Sequence, residues 1–170
     1  MPNLLVRIIL FLSSYAPLFL IIALRGWHDS RSFAVALIAV SVVSVIVLFL
    51  FLRIVQRLAP DRMKIDSVDS RDGDSMSYIV TYLLPFLAVK LNDVTDAVSL
   101  GIVLFVIAIL YVNSNMIYTN PVLNIAGYHI FEIHDADGKT SALISRHAYI
   151  RIGADLDVIS LGDYVLLEKK

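Results

Sequence analysis

Hydrophobic positions crowd the first two-thirds of the chain, in runs too long and too even to be one face of a soluble helix. A membrane-spanning helix needs about 20 mostly apolar residues, because the hydrocarbon layer is about 30 Å thick and each residue rises about 1.5 Å. Four stretches meet or approach that length: residues 4–24, 33–52, 76–91 and 97–118. The second is the cleanest, with no charge, proline or glycine. The first carries Arg7, Ser13, Ser14 and Pro17. The third is short, holds Pro85 and has Lys90 near its end, where a long side chain can reach the head groups. The fourth is apolar to Val112 and then turns polar at Asn113, Ser114 and Asn115. The pattern predicts an α-helical integral membrane protein, with four transmembrane helices in residues 1–118. The first is read as a retained helix and not a cleaved leader, since its one early basic residue, Arg7, lies inside the apolar run.

From residue 119 the period changes from helical to alternating. "YHIFEI" (128–133), "ALIS" (142–145), "HAYIRI" (147–152), "DVIS" (157–160) and "YVLLE" (164–168) are short runs separated by Asp-Gly and Gly-Asp turns. That pattern predicts antiparallel strands in a small β-rich domain over 119–170. Asn120-Pro121 is the natural break before it. The stretch "RMKIDSVDSRDGDSMS" (62–77) has mixed charge and few large apolar residues, and reads as a solvated linker.

Basic residues set the orientation. The second connection carries Arg53, Arg57, Arg62, Lys64 and Arg71, so it is expected on the cytoplasmic side. With four spans, both termini and the β-rich domain are then cytoplasmic as well.

Composition narrows the chemistry. The chain is 58% hydrophobic with a mean hydropathy of +0.78, and a net charge of −1 offers no basic field for nucleic acid. There is no cysteine, which removes disulfides, thiolate nucleophiles and Cys-type zinc sites. His129 and His134 sit at odd spacing on a strand and face apart, so they are not a shared metal pair. "DADG" (135–138) lacks the later glutamate of a calcium loop and reads as a hairpin turn. No nucleophile elbow, zincin, phosphate-loop or dinucleotide motif is present, and Ser145, Arg146 and His147 are adjacent without forming a triad. No enzyme, cofactor or metal is expected.

The remaining candidates concern assembly. Ser41 and Ser44, with the small pair Ala97 and Gly101, are candidates for close helix packing. Arg7, Lys90, Asn113 and Asn115 are the intramembrane polar candidates. Arg57, Arg62, Tyr128, Arg146 and Arg151 are candidates for docking a cytosolic partner.

The layout of four spans with a short soluble C-terminus, joined by "YVNSNMIYTNPVLNIAGYHIFEI", resembles the KwaA family, the small membrane subunit of the bacterial Kiwa antiphage defence system. The resemblance covers most of the chain. It implies an inner-membrane homo-oligomer, a tetramer, that senses infection at the envelope and holds a cytosolic DNA-binding effector, KwaB. The leading expectation is therefore a sensor and scaffold in contact with membrane lipid, with no direct nucleic-acid binding. The alternative is a small oligomeric ion channel or transporter, for which Asn113, Asn115, Lys90 and the proline-broken third stretch would line a path.

Overall fold

The computed structural model describes residues 4–78, 94–113, 120–135, 138–162 and 164–169, and shows a layer of helices carrying a closed β-barrel. The first apolar run forms two helices, α1 (Leu4–Ser14) and α2 (Ala16–Arg25), bent by 42° at Tyr15. Pro17 causes the break, because it has no N–H to give the carbonyl one turn back. The Ser13 and Ser14 hydroxyls bond back to the Leu10 and Phe11 carbonyls at 2.9 and 2.8 Å, which further loosens the ladder there. Helix α3 (Arg31–Val55) is uninterrupted and returns along both.

Strand β1 (Asp61–Ser70) follows, then α4 (Asp72–Tyr78), α5 (Val94–Asn113) and the short α6 (Pro121–Ile125). Helix α5 lies against α1 and α2, with Leu100, Leu104 and Ile107 on Tyr15, Leu18 and Ile22. The Phe11 and Tyr111 rings meet at 5.2 Å. Strands β2 (His129–Asp135), β3 (Thr140–Ser145), β4 (Asp155–Gly162) and β5 (Val165–Glu168) complete the chain.

The strands close in the order β1-β2-β3-β5-β4, a five-stranded Greek-key barrel of the OB type, a fold that hosts many functions. All pairings are antiparallel except β3 with β5. One face of every strand fills the barrel: Ile65, Phe131, Ile133, Leu143, Val158 and Leu166, with Ile150 as a plug. The opposite face of β2 to β5 is also apolar. Ile130, Ile144, Ile159, Val165 and Leu167 pack outward against Val6 and Leu10 of α1, Leu48, Leu52 and Val55 of α3, and Leu123 of α6. Burial on both faces explains why β3 and β5 read as nearly continuous apolar runs.

Several expectations are corrected by this architecture. The chain is not a four-span helical membrane protein. Among the described residues, α3 alone is a single helix long and apolar enough to cross a membrane, and α1 with α2 qualifies only as a bent pair. Helix α5 contributes a shorter apolar stretch, Val98–Tyr111, because its first turn holds Thr95 and Asp96. The expected third span lies largely outside the described residues; the part up to Tyr78 ends the acidic-starting α4. The stretch read as a solvated linker is the barrel's first strand, so the β-rich unit is not confined to 119–170. "HAYIRI" is a loop in which Ile150 alone is buried, and Gly153 (φ +80°) turns it into β4.

Candidate functional site at the helix-barrel junction

The junction between helices and barrel is where sequence-distant residues converge. At its centre is Asn120, fully buried. Its Oδ1 accepts from the backbone N–H groups of Val122 and Leu123 at 3.0 and 3.3 Å, which caps α6. Pro121 occupies the first turn, where its missing N–H costs nothing. The other end of the same amide donates to the Leu10 carbonyl at 3.2 Å and to Ser13 Oγ at 2.9 Å. One side chain thus ties the entry to the barrel to the bend in the first apolar run.

A second tie joins α4 to β2. The Asp72 carboxylate accepts from the Ile130 N–H at 3.0 Å and contacts His129 Nδ1 at 2.6 Å. Beside it Arg71 donates to Glu132 at 2.9 Å. His129 and Glu132 point to opposite faces of β2 and both stay partly exposed, so the two contacts fix Arg71 and the start of α4 on the strand without entering the barrel core.

Next to this junction a cavity of about 570 Å³ opens between α3 and the barrel. Its wall on α3 is apolar, made of Val45, Ile46, Phe49 and Leu50. Its barrel end is polar: Arg53 and Gln56 from the last turn of α3, Tyr128 before β2, and Arg146 after β3. The Arg146 guanidinium lies 4.7 Å over the Tyr128 ring and donates to its hydroxyl at 3.2 Å. Among the described residues no carboxylate lines this cavity, and neither Arg53 nor Arg146 has an acidic partner. A planar guanidinium in such surroundings is suited to gripping two oxygens of a carboxylate or phosphate.

Serine, histidine and glutamate do meet nearby, but not as catalytic machinery. Ser145 Oγ donates to the Glu168 carboxylate, and His147 Nδ1 lies 3.0 Å from the same carboxylate. The His147 backbone N–H donates to Ser145 Oγ at 2.8 Å. The hydroxyl therefore faces the acid instead of the imidazole, the reverse of what nucleophile activation needs. Among the described residues no three His, Cys, Asp or Glu side chains converge to hold a metal.

The sequence candidates fall in separate places. Ser41 and Ser44 are buried between α2 and α3, where Ser41 Oγ donates to the Ala16 carbonyl at 2.9 Å and Ser44 Oγ to the Ser41 carbonyl at 2.8 Å. Ala97 lies in the first turn of α5; Gly101 lies beyond it, and a Cβ there would meet nothing within 4 Å among the described residues. Arg7 is half-buried on α1, and Asn113 ends α5. Lys90 and Asn115 lie outside the described residues. Of the docking candidates, Tyr128 and Arg146 come together, but Tyr128 is only 5% exposed. Arg57 is exposed past α3, Arg62 on β1 reaches Asp157 at 3.5 Å, and Arg151 sits on the loop before β4. Arg53, Gln56 and Asn120 were not among the site residues expected from the sequence. The Asn-Pro pair signals a capped helix start, but nothing local announces a partner in α1.

Comparison with known proteins follows the same line. A family model described as "Anti-phage protein KwaA" matches residues 6–167. The chain is also similar to "Kiwa protein KwaA" of Escherichia coli O55:H7 (strain RM12579 / EPEC), with 27% identity over 88 residues. That match covers 50% of this chain and 45% of the relative, so the chain spans less than half the length of the curated protein it matches. No solved structure matches.

Proposed function

Because the chain belongs to the KwaA family of anti-phage proteins, we propose that it is the membrane-associated sensing and scaffolding subunit of a Kiwa defence complex. The observation that carries this reading is the shared core: the barrel's outer apolar face is covered by α1 and α3 and not by a layer of its own. A displacement of those helices therefore cannot leave the barrel unaffected, since packed interiors shift between discrete arrangements and do not stretch. A signal could bias such an arrangement only by a different free energy in its two states.

In this reading the helical layer lies in the bacterial inner membrane. Its support is α3, with hydropathy high enough to span and 22% of its most apolar window buried. The uncovered apolar faces of α3 and α5, including Val43, Ile46, Phe105 and Leu110, then meet lipid or neighbouring copies in a homo-oligomer, with a tetramer as the proposed state. The barrel faces the cytoplasm and holds the DNA-acting effector, a KwaB-like subunit. The surface best suited to that contact is the loop before β4, where Tyr149 is 77% and Ile152 63% exposed beside Arg151. An aromatic and an aliphatic anchor flanking an arginine are typical of interface centres.

Co-purification of the effector with the full chain tests this. Replacing Tyr149 and Ile152 by serine is expected to abolish recovery of the effector while the barrel remains folded, because neither side chain belongs to the core. Undiminished recovery would move the docking surface elsewhere. The channel reading rests on Lys90, Asn115 and most of the third stretch, which lie outside the described residues, and on Asn113 at the end of α5.

A further inference from the structure

We propose that the cavity between α3 and the barrel is a binding site for an anionic phospholipid, with its phosphate on Arg53 and Arg146 and an acyl chain along the α3 wall. Three observations converge on it. Among the described residues the cavity's two guanidiniums have no acidic partner and no carboxylate lines it. Stacking on Tyr128 holds the Arg146 plane in place, so little further order is lost when it grips an oxyanion. The apolar wall of Phe49 and Leu50 continues into the exposed side chains Val42, Val43, Ile46 and Val47 of the same helix.

Position along α3 distinguishes a lipid from a soluble anion. The uncharged run of residues 33–52 measures roughly 30 Å, the depth of a bilayer's hydrocarbon layer. Arg53 stands at its end, at head-group depth, with Gln56 one turn behind as a further donor. A free phosphate would use the cations and leave the apolar wall wet, whereas a glycerophospholipid occupies both. The site also lies against the shared core, so its occupancy would stabilise one packing of helix against barrel.

This inference rests on the membrane reading above, and the experiment separates the two. The full chain is mixed with vesicles of phosphatidylcholine alone or of phosphatidylcholine with phosphatidylglycerol. Flotation reports membrane association, and the thermal midpoint reports occupancy. The expected result is flotation with both vesicles, a higher midpoint with phosphatidylglycerol, and no such rise with inorganic phosphate. In the double variant Arg53→Gln, Arg146→Gln the rise disappears and affinity for phosphatidylglycerol falls about tenfold or more. Arg62→Gln, an equal loss of charge remote from the cavity, keeps the rise. Should the double variant fail to fold, Arg53→Gln alone, at an exposed helix end, is expected to reduce it. A rise that survives in the folded arginine variants, or that inorganic phosphate reproduces, overturns the lipid site while leaving membrane association intact. Wild-type chain that floats with neither vesicle overturns both.

Discussion

At the scale of single residues, Asn120 joins two parts of the fold with one side chain. Its carbonyl oxygen caps α6 and its amide nitrogen reaches α1. Asn120→Ala removes the cap, worth about 1 kcal/mol, and deprives the buried Ser13 hydroxyl of the donor it accepts from, at about 1–3 kcal/mol, while the Leu10 carbonyl keeps its bond from Ser13 Oγ. The expected loss is roughly 2–4 kcal/mol of stability, read as a lower thermal midpoint of the full chain in detergent. Asn120→Asp separates the two roles. Aspartate caps as well as asparagine, but it presents a carboxylate to the Leu10 carbonyl where an N–H is needed. It should therefore destabilise at least as much as alanine; a near-neutral effect would mean that the cap alone matters. Half of this was legible in the sequence. Asn-Pro marks a capped helix start by itself, whereas the partner residues lie more than a hundred positions away and no local pattern points to them.

At the scale of elements, the lesson is β1. Its charges, Arg62, Lys64 and Asp66, sit on the solvent face, and Met63 and Ile65 on the inner one. A register shift between Ile65 and Ser67 then moves the next inward position to Val68. That bulge breaks the two-residue period on which strand recognition depends, so the segment looks like a mixed-charge linker. The opposite error arose at 147–152, which alternates cleanly but pairs with no strand. Strands β2, β3, β4 and β5 were legible as short apolar runs between turns, even though β4 carries a register shift of its own between Ser160 and Gly162. The single helix expected over 4–24 fails at Pro17, where the apolar run splits into two helices beside the back-bonded Ser13 and Ser14. The strand assignment is tested by a matched pair. Ile65→Ala, fully buried in the barrel, is expected to cost about 2–5 kcal/mol, and Asp66→Ala, on the exposed face, within about 0.5 kcal/mol. A linker would tolerate both in a thermal melt.

At the scale of the whole molecule, helices and barrel are interleaved in sequence as well as in space. The connection from β1 to β2 contains α4, α5 and α6, so the barrel is completed only after the chain has made an excursion through the helical layer. The cavity was half visible before the fold was known. Tyr128 and Arg146 stood out as an aromatic and a cation beside strands, whereas Arg53 and Gln56 looked like the ordinary end of an apolar helix until the barrel folded back onto them. This interleaving leads to a definite expectation for the piece 119–170, which contains four of the five strands. Without β1, β2 and β4 each lose a neighbour and the barrel cannot close. Without α1 and α3, Ile130, Ile144, Ile159, Val165 and Leu167 lose their cover. Either defect exposes an unpaired edge or a wide apolar face, and together they exceed what about fifty residues can offset. The isolated piece should therefore show no cooperative thermal transition and should associate in solution, whereas the full chain melts as one unit. A piece that remains monomeric with a sharp transition would mean that the barrel holds itself together and needs neither β1 nor the helices, and the mechanical link between helical layer and barrel would be lost with it.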